Sequence, residues 1–174
     1  MKKTALALSL LLLTSCGTPV KELAGKVVSC SQLQSTKSSS SIVLGCLDGT
    51  AGASVNSLRG PMIINVWGSW CAPCKEEIPI FRSFYKKAKG SLALTGVDVE
   101  EAEIKVGQSF VIKNGMTWPN LFDKDGSSRA YFGMGVPVTW FISATGEVRY
   151  KKIGAIKNEI ELITLTSKYL GVKF

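Results

Sequence analysis

The chain has 174 residues, enough for one domain with a substantial core, and its 45% apolar and 20% charged content is ordinary globular composition. It carries 21 Lys and Arg against 13 Asp and Glu, a formal charge of +8, and no histidine. The missing imidazole excludes Ser-His-Asp triads, His-ligated zinc sites and haem sites with a proximal His, so any chemistry falls to other residues, first among them five cysteines.

In chain order, Lys2 and Lys3 precede an apolar run, Thr4 to Leu13. That run is too short to span a bilayer and has the size of a signal-peptide core. It leads into Leu13-Thr14-Ser15-Cys16-Gly17, a small-residue site ending in cysteine that resembles the lipobox of bacterial lipoproteins. The resemblance implies cleavage before Cys16 and lipidation of its sulfur. The alternative is an ordinary secretory signal with Cys16 merely near the cut. The chain is accordingly divided into residues 1–15 as signal peptide, 16–41 as lipidated tether and N-terminal cover, and 42–174 as the folded domain. Nucleic acid is a poor partner for an exported chain. The basic balance fits a surface held near anionic headgroups, and equally a merely soluble basic surface.

From Ile42 the pattern becomes regular. Ile42 to Leu47 reads as a short strand closed by a turn at Asp48-Gly49, and Ser54 to Leu58 as a second short strand or turn. Met62 to Trp67 is almost continuously apolar, as a strand buried on both faces of a parallel sheet must be. Residues 72–88 place Ile78, Phe81, Phe84 and Tyr85 on one helical face. Leu92 to Val99 is a further strand. Glu101 to Lys113 reads as a helix on Ile104, Val106, Phe110 and Val111, ended by Asn114-Gly115. Trp118 to Phe122 is a short extended piece and Asp123 to Gly126 a turn. Val138 to Ser143 and Glu147 to Ile153 form a hairpin, and Asn158 caps a last helix to Leu170. Strand–helix–strand units followed by a hairpin predict an α/β fold: a central mixed sheet flanked by helices, with an N-terminal β-extension.

The strongest motif is Trp70-Cys71-Ala72-Pro73-Cys74, placed where the buried strand ends and the helix begins. At a helix N-terminus the free N–H groups and the macrodipole favour an anion. A free thiol of pKa ~8.5 is only about 3% ionised at pH 7, and lowering it to ~7 makes it half thiolate. Cys74, one turn on, can close a disulfide, so Cys71 attacks and Cys74 resolves. Zinc would want a second matching pair, and Cys30 and Cys46 are too far apart to supply it; covalent haem would want His where Lys75 stands. No metal or cofactor is expected.

Residues Asn65 to Pro79, with Gly96-Val97-Asp98-Val99, Tyr131-Phe132-Gly133 and Val136-Pro137-Val138-Thr139-Trp140-Phe141-Ile142, resemble the thioredoxin superfamily and, within it, the TlpA/ResA-like membrane-anchored thiol–disulfide oxidoreductases of bacteria. The resemblance implies a thioredoxin-like fold and an enzyme that reduces disulfides of exported proteins. It names apocytochrome c as a substrate, in cytochrome c biogenesis, and a membrane thiol transporter as electron donor. It makes Pro137 a cis-proline facing the redox pair, against a trans proline at a strand start. Val136 would offer its backbone to the substrate and Trp70 would shape the docking surface. Glu77 matches an acidic residue that relays the proton of Cys74, against an exposed helix glutamate; its neighbour Glu76 faces solvent. Asn65 stands where classical thioredoxins carry a buried aspartate, so the proton-accepting role is absent or has moved to Glu77. An oxidase or isomerase would use the same residues in the other direction, and a thioredoxin-fold binding or chaperone module is the alternative of another class. Cys30 and Cys46 are left over. In an oxidising compartment the pair reads as a structural disulfide, with a free pair or a second redox pair as alternatives.

Overall fold

A computed structural model describes residues 24–36, 42–88, 90–133 and 135–174. The signal segment and Cys16 lie outside the described residues. Eleven named elements follow in order: β1 (Val43–Cys46), β2 (Ala53–Ser54), β3 (Met62–Trp67), α1 (Ala72–Ala88), β4 (Ala93–Val99), α2 (Ile104–Lys113), β5 (Asn120–Asp123), α3 (Arg129–Phe132), β6 (Val138–Ile142), β7 (Val148–Ile153) and α4 (Glu159–Leu170). The strands form one sheet in the order β2-β1-β5-β4-β3-β6-β7. β3, β4 and β5 are parallel, while β6, β7, β1 and β2 add antiparallel edges. This is the mixed, helix-flanked sheet with a β-extension that the sequence predicts.

The burial pattern explains the placement. Every residue of β3 is buried, consistent with its place between β4 and β6. β7, at the sheet margin, alternates half-buried and exposed residues. On one face, Ile63, Trp67 and Leu94 pack with Ile78, Phe81 and Phe84 of α1, Val111 of α2 and Leu162 of α4. On the other, Ile64, Val66, Val97, Trp140 and Ile142 pack with Phe132 of α3 and with Cys30 and Leu44 from the N-terminal side. α1 runs 17 residues through Pro79.

Three segments differ from their sequence reading. α2 begins at Ile104 rather than Glu101, because Glu100 takes a left-handed φ of 59° and turns the chain away from a helical path. The piece at Trp118–Phe122 is a full sheet member, β5, parallel to β4. α3 carries too short an apolar pattern to show a helical period. Within the expected N-terminal cover, residues 24–36 bridge to the body at Val28–Pro119 and Ser35–Leu58.

Candidate active site

β3 and β4 deliver their C-terminal ends to one edge of the sheet, where open α/β sheets place their ligands. There the chain turns through Gly68, Ser69 and Trp70 into α1. Cys71 stands just before the helix and Cys74 in its first turn. Their sulfurs are bonded at 1.98 Å. The Cys74 backbone N–H donates to Cys71 Sγ at 3.2 Å, the interaction that would stabilise a thiolate there once the bond opens. Cys74 is wholly enclosed and Cys71 is 4% exposed, while the neighbouring Trp70 is 53% exposed.

The Val136–Pro137 peptide is cis, and Pro137 lies one residue before the β6 register that pairs Val138 with Val66. This puts it at the same sheet edge as the redox pair. Val136 is half-buried and packs against the core cluster that contains Cys71 and Cys74. A cleft of about 250 Å³ opens between the two loops, walled by Val66, Trp70, Val99, Phe132 and Val136 and rimmed by Glu100 and Arg129, which form an ion pair.

Glu77 lies on the inner face of α1, one turn beyond Cys74, and is fully buried, whereas Glu76 is exposed. Its Oε1 accepts from Asn65 Nδ2 at 2.8 Å, and its Oε2 from the Ile156 N–H at 2.9 Å. Those two donors favour the carboxylate, but burial outweighs them and lifts the pKa from 4.5 to about 7. A group poised there can give or take a proton at neutral pH, as a relay for Cys74 requires. The neutral Asn65 and the acid Glu77 therefore form one buried unit.

Cys30 and Cys46 stand apart from this edge. Their sulfurs are at bonding distance, 2.08 Å, and both residues are buried in the opposite core with Leu44 and Val97.

The sequence reading gave no role to Glu101, which it placed in a helix, or to Asp98, which it named only within a strand motif. Glu101 Oε1 accepts the Ser69 N–H at 2.5 Å, directly ahead of the redox motif. One signal was available: an acid between Val97 and Val99 in a strand otherwise buried on both faces is an anomaly.

Comparison with known proteins follows the same geometry. Over 101 residues, 56% of this chain, the sequence is 33% identical to sporulation thiol-disulfide oxidoreductase A of Bacillus subtilis, covering 61% of that protein. Over 98 residues, 55% of this chain, it is 33% identical to the thiol-disulfide oxidoreductase ResA of Oceanobacillus iheyensis, covering 50% of it. The chain thus spans between half and two thirds of the length of these relatives. Among solved structures, StoA from Bacillus subtilis matches with a TM-score of 0.57 and 28% identity over 70% of this chain and 92% of StoA. A thioredoxin family protein from Chlorobium tepidum shares the fold at a TM-score of 0.62, with 20% identity over 82% of this chain and the whole of that one. The fold is thioredoxin-like. The AhpC/TSA family model matches residues 42–151, and the chain belongs to that family.

Proposed function

We propose that this protein is an extracytoplasmic thiol–disulfide oxidoreductase that reduces disulfides of exported proteins through Cys71 and Cys74. The observation that carries the reading is a buried Cys71–Cys74 disulfide at a helix N-terminus, with Cys71 receiving a backbone N–H and Glu77 buried one turn inside. The relatives named thiol-disulfide oxidoreductases support it. Reduced Cys71 attacks one sulfur of the substrate disulfide, whose other sulfur leaves as a thiolate. Cys74 then gives its proton to Glu77 and attacks the mixed disulfide at Cys71, which releases the second substrate sulfur and closes the Cys71–Cys74 bond. Val136 and Trp70 flank the cleft in which the substrate segment lies. Cys30–Cys46 is a structural disulfide.

The placement of the chain follows from its first residues. The lipobox-like site makes Cys16 the lipid attachment that holds the domain at the outer face of the cytoplasmic membrane. Among the described residues no helix is long and apolar enough to cross a membrane. Each turnover consumes two electrons, so a membrane thiol transporter must return them. Apocytochrome c, the substrate that the resemblance to the ResA-like group implies, is the proposed exported substrate.

The test is the equilibrium reduction potential of Cys71–Cys74 in the chain from Gly17 onward, titrated against a dithiol couple. A value near or below about −250 mV supports a reductant, and one near about −120 mV makes the protein an oxidant of folding proteins.

A further inference from the structure

Behind the Ser69–Trp70 turn lies a pair of carboxyls that thiol–disulfide exchange does not call on. Asp98 projects from β4 with 0% exposure, and neither of its oxygens meets a hydrogen-bond donor. An ionised carboxylate enclosed without donors is costly, so the strand favours the neutral acid there. The carboxyl of Glu101, 5% exposed, interacts with it, and Oε1 of Glu101 accepts the Ser69 N–H. Between them Glu100 holds its left-handed φ of 59°, fixed by the Arg129 ion pair and by its own N–H on the Asp123 carbonyl at 2.9 Å. That reversal lets two groups from the end of β4 reach one turn. The Val99 carbonyl takes the Trp70 indole N–H at 3.2 Å, and the Glu101 carboxyl takes the Ser69 amide.

We propose that Asp98, as the neutral acid, donates its proton in a hydrogen bond to the Glu101 carboxyl, and that the pair is a positioning device that clamps the Ser69–Trp70 turn and so sets the approach to Cys71. Loss of the Asp98 proton to solvent leaves two like charges in an enclosed space; Glu101 is pushed from Ser69 and the turn loosens. No electrons move in this step. Among the described residues, Glu101 is the one charge that shifts Asp98. Gly107 of α2 and Leu47 after β1 close over Asp98, and its register neighbours are Trp67 on β3 and Phe122 on β5. Asp123, beside Val99 in the register, spends its oxygens on Ser127 and Ser128. Burial, then the charge of Glu101 and the hydrogen bond to it, push the Asp98 pKa up to about 9.

The consequence for Cys71 rests on the redox reading above, but the clamp can be tested without turnover. In the full chain with its disulfides closed, the carboxyl-carbon resonances of Asp98 and Glu101 and the Ser69 backbone nitrogen are followed by NMR from pH 6 to 11. One alkaline step near pH 9, shared by all three, is expected. Asp98→Asn should abolish the step and leave the Ser69 shift at pH 7 in place, since its amide can donate to Glu101 as the protonated acid does. Glu101→Gln should move the Asp98 step to lower pH, because the like charge is gone. An Asp98 carbon already at its ionised position at pH 7, or a Ser69 step that survives Asp98→Asn, overturns the proposal. Should Asp98→Asn not fold, the wild-type and Glu101→Gln titrations decide it. In the reduced protein, the rate with a small aromatic disulfide should fall several-fold across the same step in wild type relative to Asp98→Asn. Coinciding rate profiles overturn the coupling to Cys71, whereas no exchange at any pH sinks the redox reading and leaves the clamp to the NMR result.

Discussion

The described residues hold two disulfides of similar span and burial, and their surroundings separate them. The Cα–Cα distances are 5.8 Å for Cys30–Cys46 and 5.3 Å for Cys71–Cys74, and all four residues are at most 5% exposed. Around the first, the Asn120 carbonyl lies 3.4 Å from Cys30 Sγ and 3.7 Å from Cys46 Sγ, with the Val28 carbonyl at 3.9 Å from the latter. Carbonyl oxygens repel a thiolate, and the Cys30 N–H on Cys46 Sγ at 3.1 Å offsets this only in part. The second opens a 17-residue helix whose N–H groups and dipole welcome an anion, beside a half-exposed tryptophan and a cleft. Burial alone therefore does not mark a disulfide as structural. The polarity of the backbone facing each sulfur, and an open approach, favour exchange at Cys71–Cys74 and disfavour it at Cys30–Cys46, in line with the proposed roles.

The largest effect should come from Cys71→Ala, which removes the attacking sulfur. Reduction of a protein disulfide should fall to the uncatalysed rate, read in an insulin-reduction assay with a dithiol donor. Cys74→Ala should instead trap the mixed disulfide, visible as a covalent adduct by mass spectrometry. Retained turnover in Cys71→Ala would break the comparison at its root.

Next in size is Cys30→Ala/Cys46→Ala. The staple joins positions 16 apart, and a closed loop of this length stabilises by about 3 kcal/mol in the chain-entropy account. The double variant should lose that much in denaturant unfolding yet keep its rate at 25 °C. Loss of activity at full stability would make this pair a second redox couple.

A smaller effect at any one pH should come from Glu77→Gln. The folded pKa of about 7 lies above the ordinary 4.5, so between those values the native state binds more protons than the unfolded one. Stability should then fall as pH rises from about 4.5 to 7, by about 3 kcal/mol in all, and level off outside that window for this group. Glu77→Gln should remove this part of the slope, leaving the shallower fall toward pH 9 that belongs to Asp98. The variant should also lose the neutral-pH inflection in the rate of closing the mixed disulfide. Unchanged pH profiles of both stability and rate would mean that Glu77 is a packing residue.

Much of this was legible in the residues themselves. Met62–Trp67 and residues 72–88 carry unbroken patterns of the right period, and the structure keeps both boundaries. The redox motif could be placed because strand and helix meet at it. What was hidden depends on contacts distant in sequence. Glu101 looked like the first residue of a helix because Glu100 has no local reason to take a positive φ; Arg129, 29 positions away, supplies one. α3 was hidden because four residues cannot display a helical period, yet its Phe132 and Arg129 help form the cleft. β5 reads from sequence only as a short extended piece, because pairing with β4 and β1 decides its role and no pattern inside four residues can announce that.

The smallest expected effect concerns Trp70, where stability and recognition can be separated. Its ring is half-exposed over the cleft, and its indole N–H reaches the Val99 carbonyl at 3.2 Å. Trp70→Phe keeps an aromatic wall and loses the donor, so unfolding should show a cost of about 1 kcal/mol, the usual net worth of one hydrogen bond. KM for a disulfide peptide should change by less than about threefold, because apolar contact with the cleft survives. Trp70→Ala loses both and should raise KM further with kcat held, since Cys71 and its N–H donor are untouched. Equal KM values for the two variants would assign recognition to the indole N–H rather than to the ring. In that case Trp70 serves the clamp at the end of β4 more than the substrate, and the exposed face beside Cys71 loses its main claim to being the docking surface.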